Sequence, residues 1–526
     1  MNIKFEEYLN TLADENLVKG KANIDEDLLS LKVKGITFDS TQVKADYIFI
    51  CKGRGFKKEY LEDAVNRGAA AYIIEEDLKS KLAESKESVA ASLRRDVGEV
   101  SVSNIAVAMS LLGNIFYDYP YEKVKIIGIT GTKGKSTAAY FIKSILDADA
   151  ENKNEKETGL ISGIEIYDGI QRMEANLTTP ESLEILRYLN NMVQAGIKYC
   201  TMEVSSQGLK YNRVRSMRFH LGMFLNLGYD HISPIEHADF NDYKQSKLKL
   251  MSMAENLVIN MDSQYGEDFI KEGLKSPLSP SITTFSTLKG GKGDFTFDKK
   301  IYNKKENSHG QVFYFKERGL TFKQPIKLLL DGDFNISNAI GAVAVAKTLN
   351  ISEETAVSAL EKVRVPGRME TFFLPKSKVK VIIDYAHNKM SFEALFASVK
   401  KDYSKEQISI VFGCPGKKAL DRRSDLAEVT AREAGLAIIT EEDSGEESTG
   451  KISGEIYDNL CKFGGRGKIW EDRKEAIELA VERSHPGDII LITGKGRETT
   501  QKRGKTYVSY PSDVEIIEEI ISRELR

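Results

Sequence analysis

The sequence predicts an α/β protein of three domains: a central P-loop parallel sheet, a doubly wound, Rossmann-like C-terminal unit and a smaller N-terminal unit. Three observations lead there. The chain has 526 residues, whereas one domain usually holds roughly 100–200. Short apolar runs alternate with helical stretches along most of it, the pattern of a sheet covered on both faces. A glycine-rich turn, Gly131-Thr132-Lys133-Gly134-Lys135-Ser136-Thr137, joins one such strand to one such helix.

Taken in order, residues 1–99 read as a small α/β domain, with strands in Tyr47-Ile48-Phe49-Ile50 and Ala71-Tyr72-Ile73-Ile74 and no nucleotide loop. Residues 100–364 form the central domain, opening with a helix over 103–116 and a strand over 124–129 that runs into the phosphate loop. A Gly/Lys-rich stretch over 286–300 precedes the alternating Gln311-Val312-Phe313-Tyr314-Phe315, which predicts an inserted hairpin. Pro366-Gly367 breaks the helical pattern of 353–363. In residues 365–526 the alternation restarts with strands over 379–384, 408–413 and 488–493, giving the third, doubly wound unit.

Composition narrows the function classes. Hydrophobic residues make up 41% and charged residues 29%, so large cores can be buried. The net charge of −3 provides no overall field for nucleic acid or an anionic membrane. Cys51, Cys200, Cys414 and Cys461 form no CxxC pair, so neither zinc nor a disulfide framework is expected. No apolar run approaches the roughly 20 residues of a membrane span. A cytoplasmic protein without membrane insertion is the expectation, and a monomer.

The phosphate loop makes ATP the expected ligand. Gly131 and Gly134 let the backbone approach an anion at a helix N-terminus, Lys135 would neutralise β/γ oxygens, and Ser136 would turn its hydroxyl to Mg²⁺. The spacing departs from Gly-x4-Gly-Lys-Ser/Thr, because Gly128 lies one residue too far from Gly134. Downstream, two candidate strands, 201–206 and 222–227, end in polar residues where α/β sites form. Glu203 and His231 are chemically suitable metal ligands near a γ-phosphate, and a helix presents Lys247.

The order of phosphate loop, Thr178-Thr179-Pro180, Met202-Glu203-Val204-Ser205-Ser206, Asp230-His231 and Tyr243-x-x-x-Lys247 resembles the Mur ligases of peptidoglycan synthesis. So do Asp39-Ser40, Phe334-Asn335-Ile336-Ser337-Asn338, Pro366-Gly367-Arg368, Asp384-Tyr385-Ala386-His387 and Gly494-Lys495-Gly496-Arg497-Glu498, which carry the resemblance over nearly the whole chain. Within that family Thr178-Thr179-Pro180-Glu181-Ser182 is similar to the branch that adds the third residue of the stem peptide. Gly413-Cys414-Pro415-Gly416 is similar to its lysine-adding members.

The resemblance implies ATP-dependent activation of a carboxylate as an acyl phosphate and its attack by an amine, with UDP-N-acetylmuramoyl-L-alanyl-D-glutamate and L-lysine as substrates. It implies Lys135, Glu203, His231 and Lys247 as the catalytic set, with Lys247 carbamylated and holding Mg²⁺ together with Ser136, Glu203 and His231. It implies ATP contacts from Gly131, Thr132, Lys133, Gly134, Lys135, Ser136, Thr137, Asn335, Asn338, Arg368, Asp384 and His387. Ser40, Thr178, Thr179, Ser205 and Arg213 would hold the UDP-linked peptide, and Arg423, Asp443, Gly494 and Glu498 the amino acid. Where diaminopimelate-adding relatives carry Asp-Asn-Pro-Arg, this chain has Glu442-Asp443-Ser444-Gly445. Gly445 offers no cation to a second carboxylate, and the acidic neighbours favour an ammonium. Ornithine and meso-diaminopimelate stay open as alternatives. A folylpolyglutamate synthetase-like ligase would lack the first 99 residues, and an inactive homologue would have lost Glu203, His231 or Lys247.

Overall fold

The computed structural model describes residues 3–53, 55–84, 97–230, 232–233, 236–301, 311–330, 332–417 and 420–525. Its two compact units comprise residues 1–286, 290–294 and 341–355 in the first, and 287–289, 295–340 and 356–526 in the second.

The first unit holds two sheets. The N-terminal one contains β1 (Val18–Ala22), β2 (Gly35–Thr37), β3 (Tyr47–Cys51), β4 (Ala69–Glu75) and β5 (Gly98–Val102), in the order β1-β5-β4-β3-β2. Only β1 runs antiparallel to its neighbour. Side chains alternate across β3: Ile48 and Ile50 enter one core, Phe49 and Cys51 the opposite one. The first core is closed by the helices Phe5–Asp14 and Ile105–Phe116. Phe5, Tyr8, Leu9 and Leu12 recur at the spacing of one helical face. Asn104 caps the second helix through Val107 N–H at 3.0 Å. That helix, grouped by the sequence with residues 100–364, thus buries its apolar face against the N-terminal sheet.

The second sheet of this unit runs β13-β12-β11-β6-β10-β7-β8-β9. Its strands are β6 (Lys125–Thr130), β7 (Gly159–Ile161), β8 (Glu165–Tyr167), β9 (Arg172–Glu174), β10 (Tyr199–Glu203), β11 (Leu221–Phe224), β12 (Asn256–Asn260) and β13 (Ser281–Ser286). Strands from β13 to β7 are parallel, and β8 and β9 turn back as hairpins. Register sets Glu203 beside Ile129 and Phe224 beside Thr130, so the carboxyl ends of β10, β6 and β11 open at one level. Two expected strands end early there. Beyond β11, Leu225 N–H bonds Thr130 O at the end of β6 and Asn226 bonds the loop after it, and Ser205 caps the short helix Ser206–Lys210 through Gly208 N–H.

In the second unit, β14 (Phe295–Ile301) and β15 (Gln311–Glu317) form the expected hairpin, joined by β16 (Leu320–Thr321) and β17 (Ile326–Leu328) on β15. The C-terminal sheet has the order β18-β19-β23-β20-β21-β22. Its strands are β18 (Glu370–Leu374), β19 (Val379–Asp384), β20 (Ile408–Phe412), β21 (Leu436–Ile439), β22 (Gly467–Ile469) and β23 (Ile489–Thr493). All but β18 are parallel. Along β23, Ile489 and Leu491 enter one core and Ile490 and Ile492 the other, so both faces are covered as the sequence predicts. The last strand, β23, inserts between β19 and β20, which creates the crevice where doubly wound sheets bind ligands. A hairpin of β24 (Thr500–Arg503) and β25 (Thr506–Ser509) follows. Among the described residues, no helix is long and apolar enough to cross a membrane.

Candidate active site

The strand β6 delivers its turn into the helix Lys135–Asn152, with Gly134 at φ 84° as the N-cap. Glycine relieves the strain of that left-handed backbone. Asn226 braces the turn: its Oδ1 accepts from Thr132 N–H at 3.1 Å and Lys133 N–H at 2.9 Å, and its Nδ2 donates to Lys133 O at 3.0 Å. The Thr132 hydroxyl lies 3.0 Å from the Tyr243 hydroxyl. Lys135 Nζ donates to Gly131 O at 3.0 Å, and Lys133 Nζ lies 3.3 Å from Asp230. Ser136 and Thr137 are buried in the first helical turn.

Lys247, on the helix Phe240–Leu248, is 1% exposed and donates to Gly131 O at 2.9 Å. Burial, reinforced by Lys135 and Lys133 against Asp230, holds its amine well below the usual lysine range. The ring of Tyr243 lies 4.7 Å from its Nζ. A cavity of about 220 Å³ opens between Lys135, Lys247, Thr178, Thr179, Ser205 and Arg213. The structure therefore gathers the loop lysine, the buried lysine and four of the expected peptide-binding residues around one space.

Glu203 ends β10, 1% exposed, and its Oε1 accepts from Gly163 N–H at 2.8 Å. Thr179 Oγ1 donates to Glu203 O at 2.9 Å and accepts from Ser205 N–H at 2.9 Å, which locks the segments carrying Thr178 and Ser205. Arg213 donates to Thr179 O at 2.9 Å and pairs with Glu181 at 3.0 Å, while Lys52, just after β3, pairs with the same Glu181. Ser40 is buried at the start of a 3-10 turn after β2, and its hydroxyl lowers the Asp63 carboxyl. His231 lies outside the described residues. Among the described residues no three His, Cys, Asp or Glu side chains cluster as a metal site. Ser136 and Glu203 fit a hard divalent cation in kind but not in number. Burial favours the uncharged amine of Lys247, and the carbamate that the resemblance implies there would add the missing oxygen donors.

The remaining expected nucleotide residues belong to the second unit. Asn335 and Asn338 are buried in the first turns of the helix Asp333–Thr348, with Asn338 Nδ2 3.3 Å from Asn335 Oδ1. Asp384 ends β19 and accepts from Met369 N–H at 2.9 Å and Ala386 N–H at 2.8 Å. Arg368 stacks 5.2 Å from the Tyr385 ring, and His387 Nδ1 lies 2.7 Å from Tyr385 O.

The residues expected to bind the amino acid follow the carboxyl ends of β20, β21 and β23. Arg423 is 3% exposed; it pairs with Glu447 at 2.7 Å and Glu455 at 2.5 Å. Internal cations also meet the acidic neighbours: Glu441 pairs with Arg503, Asp443 with Lys495 and Glu446 with Lys417. Glu442 is buried against Gly494, where a Cβ would overlap its carboxylate. Burial pushes its carboxyl up to about 7. Sequence reasoning assigns no role to Asn226, Lys495 or Arg473; Asn226 carries a signal as a polar residue at a strand end and Lys495 as part of the Gly494–Glu498 run, whereas Arg473 carries none.

Two family models match this chain, "Mur ligase middle domain" over residues 129–346 and "Mur ligase, glutamate ligase domain" over 367–496. A UDP-N-acetylmuramyl-tripeptide synthetase from Latilactobacillus sakei is 34% identical over 93% of this chain and 94% of its own. A UDP-N-acetylmuramoyl-L-alanyl-D-glutamate–L-lysine ligase from Enterococcus faecalis is 34% identical, covering 94% and 92%. A 2,6-diaminopimelate ligase for the same UDP-peptide from Clostridium perfringens is 33% identical, covering 89% and 91%. A solved structure of such a 2,6-diaminopimelate ligase superposes with a TM-score of 0.63 at 22% identity over 100% of both chains, a likeness of fold.

Proposed function

The chain belongs to the Mur ligase family, and from that premise we propose that it joins L-lysine to the D-glutamate γ-carboxylate of UDP-N-acetylmuramoyl-L-alanyl-D-glutamate, converting ATP to ADP and phosphate. It is an ATP-dependent ligase of peptidoglycan synthesis. The observation that supports the ligase reaction is a cavity lined by Lys135, buried Lys247, Thr178, Ser205 and Arg213, residues suited to anionic groups.

The substrate carboxylate attacks the γ-phosphorus, forming an acyl phosphate as the bond to the ADP oxygen breaks. The amine then attacks the carbonyl carbon, and the tetrahedral intermediate expels phosphate as the nitrogen loses its proton. Lys135 neutralises β/γ oxygens; positioning and charge neutralisation suffice, so no protein nucleophile is required. Mg²⁺, when bound, would supply further neutralisation, and Ser136, Glu203, His231 and a carbamylated Lys247 would hold it. Gly131, Thr132, Lys133, Gly134 and Thr137 cradle the phosphates, and Asn335, Asn338, Arg368, Asp384 and His387 are assigned to the rest of ATP. Ser40 holds the UDP end, while Thr178, Thr179, Ser205 and Arg213 hold the peptide and diphosphate. Arg423 takes the amino acid's α-carboxylate in exchange for a glutamate, with Asp443, Gly494 and Glu498 lining its side chain.

L-lysine is preferred because Gly445 provides no cation for a second carboxylate and Glu442 remains a buried acid. The protein acts in the cytoplasm as a monomer of three domains. Phosphate release is expected only when ATP, the UDP-linked dipeptide and a diamino acid are all present. A panel of L-lysine, L-ornithine and meso-diaminopimelate should rank lysine first. Release without the UDP-linked peptide would refute the ligase reaction, and a preference for diaminopimelate would refute the lysine assignment.

A further inference from the structure

The loop after β23 carries a buried cation that the reaction does not require. Lys495 is 3% exposed, and its Nζ lies 3.0 Å from Asp443 Oδ1 and 2.5 Å from Glu498 Oε2. Those carboxylates are more open, with side-chain exposures of 27% and 40%. Burial works against the ammonium, but Glu498 and Asp443 outweigh it and hold its pKa above the usual lysine value. Asp443 adopts a left-handed φ of 46°, and its Oδ1 also accepts from Lys502 N–H at 2.8 Å.

A second charged pair fixes this arrangement from beneath. Arg473 is 1% exposed and forks onto Asp513 at 2.7 and 2.8 Å. Arg473 also donates to Thr493 O at 2.7 Å, and Asp513 accepts from Gly496 N–H at 2.8 Å. The ends of β23 and its loop are therefore held on both sides of Lys495. Two carboxylates at one pocket edge would repel each other and splay. With the ammonium between them they converge, and the trio of two negative charges and one positive keeps a net charge of about −1.

We propose that Lys495 is a positioning residue that sets amino-acid specificity: bridging Asp443 and Glu498, it builds a receptor of one net negative charge that accepts a single distal ammonium. An entering ammonium completes an alternating array of two anions and two cations. A side chain ending in both an ammonium and a carboxylate leaves the charge uncompensated. The substrate class is a diamino acid without a second carboxylate. This inference rests on the proposed amino-acid pocket.

The test compares full-length wild type, Lys495→Met and Lys495→Arg for kcat/KM with L-lysine and with L-norleucine, which has a similar chain and no distal ammonium. Lys495→Met should lower the lysine-to-norleucine ratio by about tenfold or more, with KM for ATP and for the UDP-linked peptide within about twofold of wild type. Lys495→Arg should keep the ratio within about threefold of wild type. Thermal melting monitors folding. Should the methionine variant not fold, Lys495→Gln, which bonds both carboxylates without the charge, carries the same prediction. An unchanged ratio in a folded variant, or equal losses for the two amino acids, overturns the role of Lys495. Wild type that ignores every diamino acid overturns the functional reading itself, and the inference with it.

Discussion

Replacing Glu442 by glutamine should change how the stability of the C-terminal domain responds to pH. Burial pushes the Glu442 carboxyl from 4.5 up to about 7; Arg473 and Lys495 pull it down, and Asp443 and Glu498 push it up. Between pH 4.5 and about 7 the folded chain therefore holds a proton that the unfolded chain has released. Stability falls as pH rises wherever the folded state binds more protons, so the contribution present below pH 4.5 is lost by about pH 7 and stays lost above it. At about 1.4 kcal/mol per pH unit the full loss is roughly 3 kcal/mol. Glutamine keeps the shape and cannot titrate, while the other groups titrate in both proteins and cancel in the difference. Trp470 is the sole tryptophan of the chain. It directly follows β22 in the same domain and donates to Glu475 at 2.8 Å. Urea unfolding followed by its fluorescence at pH 4.5 and pH 8 measures the effect. Wild type should lose about 3 kcal/mol relative to Glu442→Gln between those values; parallel profiles would refute the buried-acid argument.

Substitutions at three further positions probe other parts of the molecule. Lys247→Ala should lower kcat by about 100-fold or more in the phosphate-release assay, and Lys247→Arg should not restore it, because a guanidinium does not form the carbamate; full activity in the alanine variant would remove Lys247 from the mechanism. Asp513→Ala strands Arg473 as a buried charge and should cost about 3–5 kcal/mol by the Trp470 probe, a loss below about 1 kcal/mol counting against a structural pair. Gly367 sits at φ 64°, and a Cβ there would overlap the Tyr385 ring; Gly367→Ala should destabilise by about 1–3 kcal/mol, and an unchanged urea midpoint would show that the turn relaxes freely.

Local chemistry explains what could be read in advance. Strand, glycine turn and helix are contiguous, so the phosphate loop is legible from one short segment, and the period-2 burial of β3 and β23 follows directly from their residues. The bracing of that loop was not legible, because Asn226 reaches Thr132 only once β11 pairs with β6. The helix Ile105–Phe116 was readable as a helix, but the core that receives it depends on packing against β3 to β5, which no local pattern encodes. Lys247 stood out only by its place in a family order; a lysine on a nine-residue helix is ordinarily solvated, and its 1% exposure is a tertiary fact.

The acidic segment 441–447 shows most clearly where counting charges stops. As sequence it is a concentration of carboxylates awaiting an ammonium. In the fold, Arg503, Lys495, Lys417 and Arg423 meet Glu441, Asp443, Glu446 and Glu447 respectively. Most of the apparent charge is thereby answered inside the protein, leaving the buried Glu442 and the Asp443–Lys495–Glu498 trio, to which the proposal above assigns the incoming side chain. Under that proposal, selectivity between a diamino acid with one carboxylate and one with two would depend on a residual of about one charge at a partly desolvated site, where each unit of charge counts for several times its value in water. That residual is fixed by cations 24 to 62 residues away along the chain from the segment's carboxylates they meet, so it is a property of the fold and not of the acidic segment that displays it.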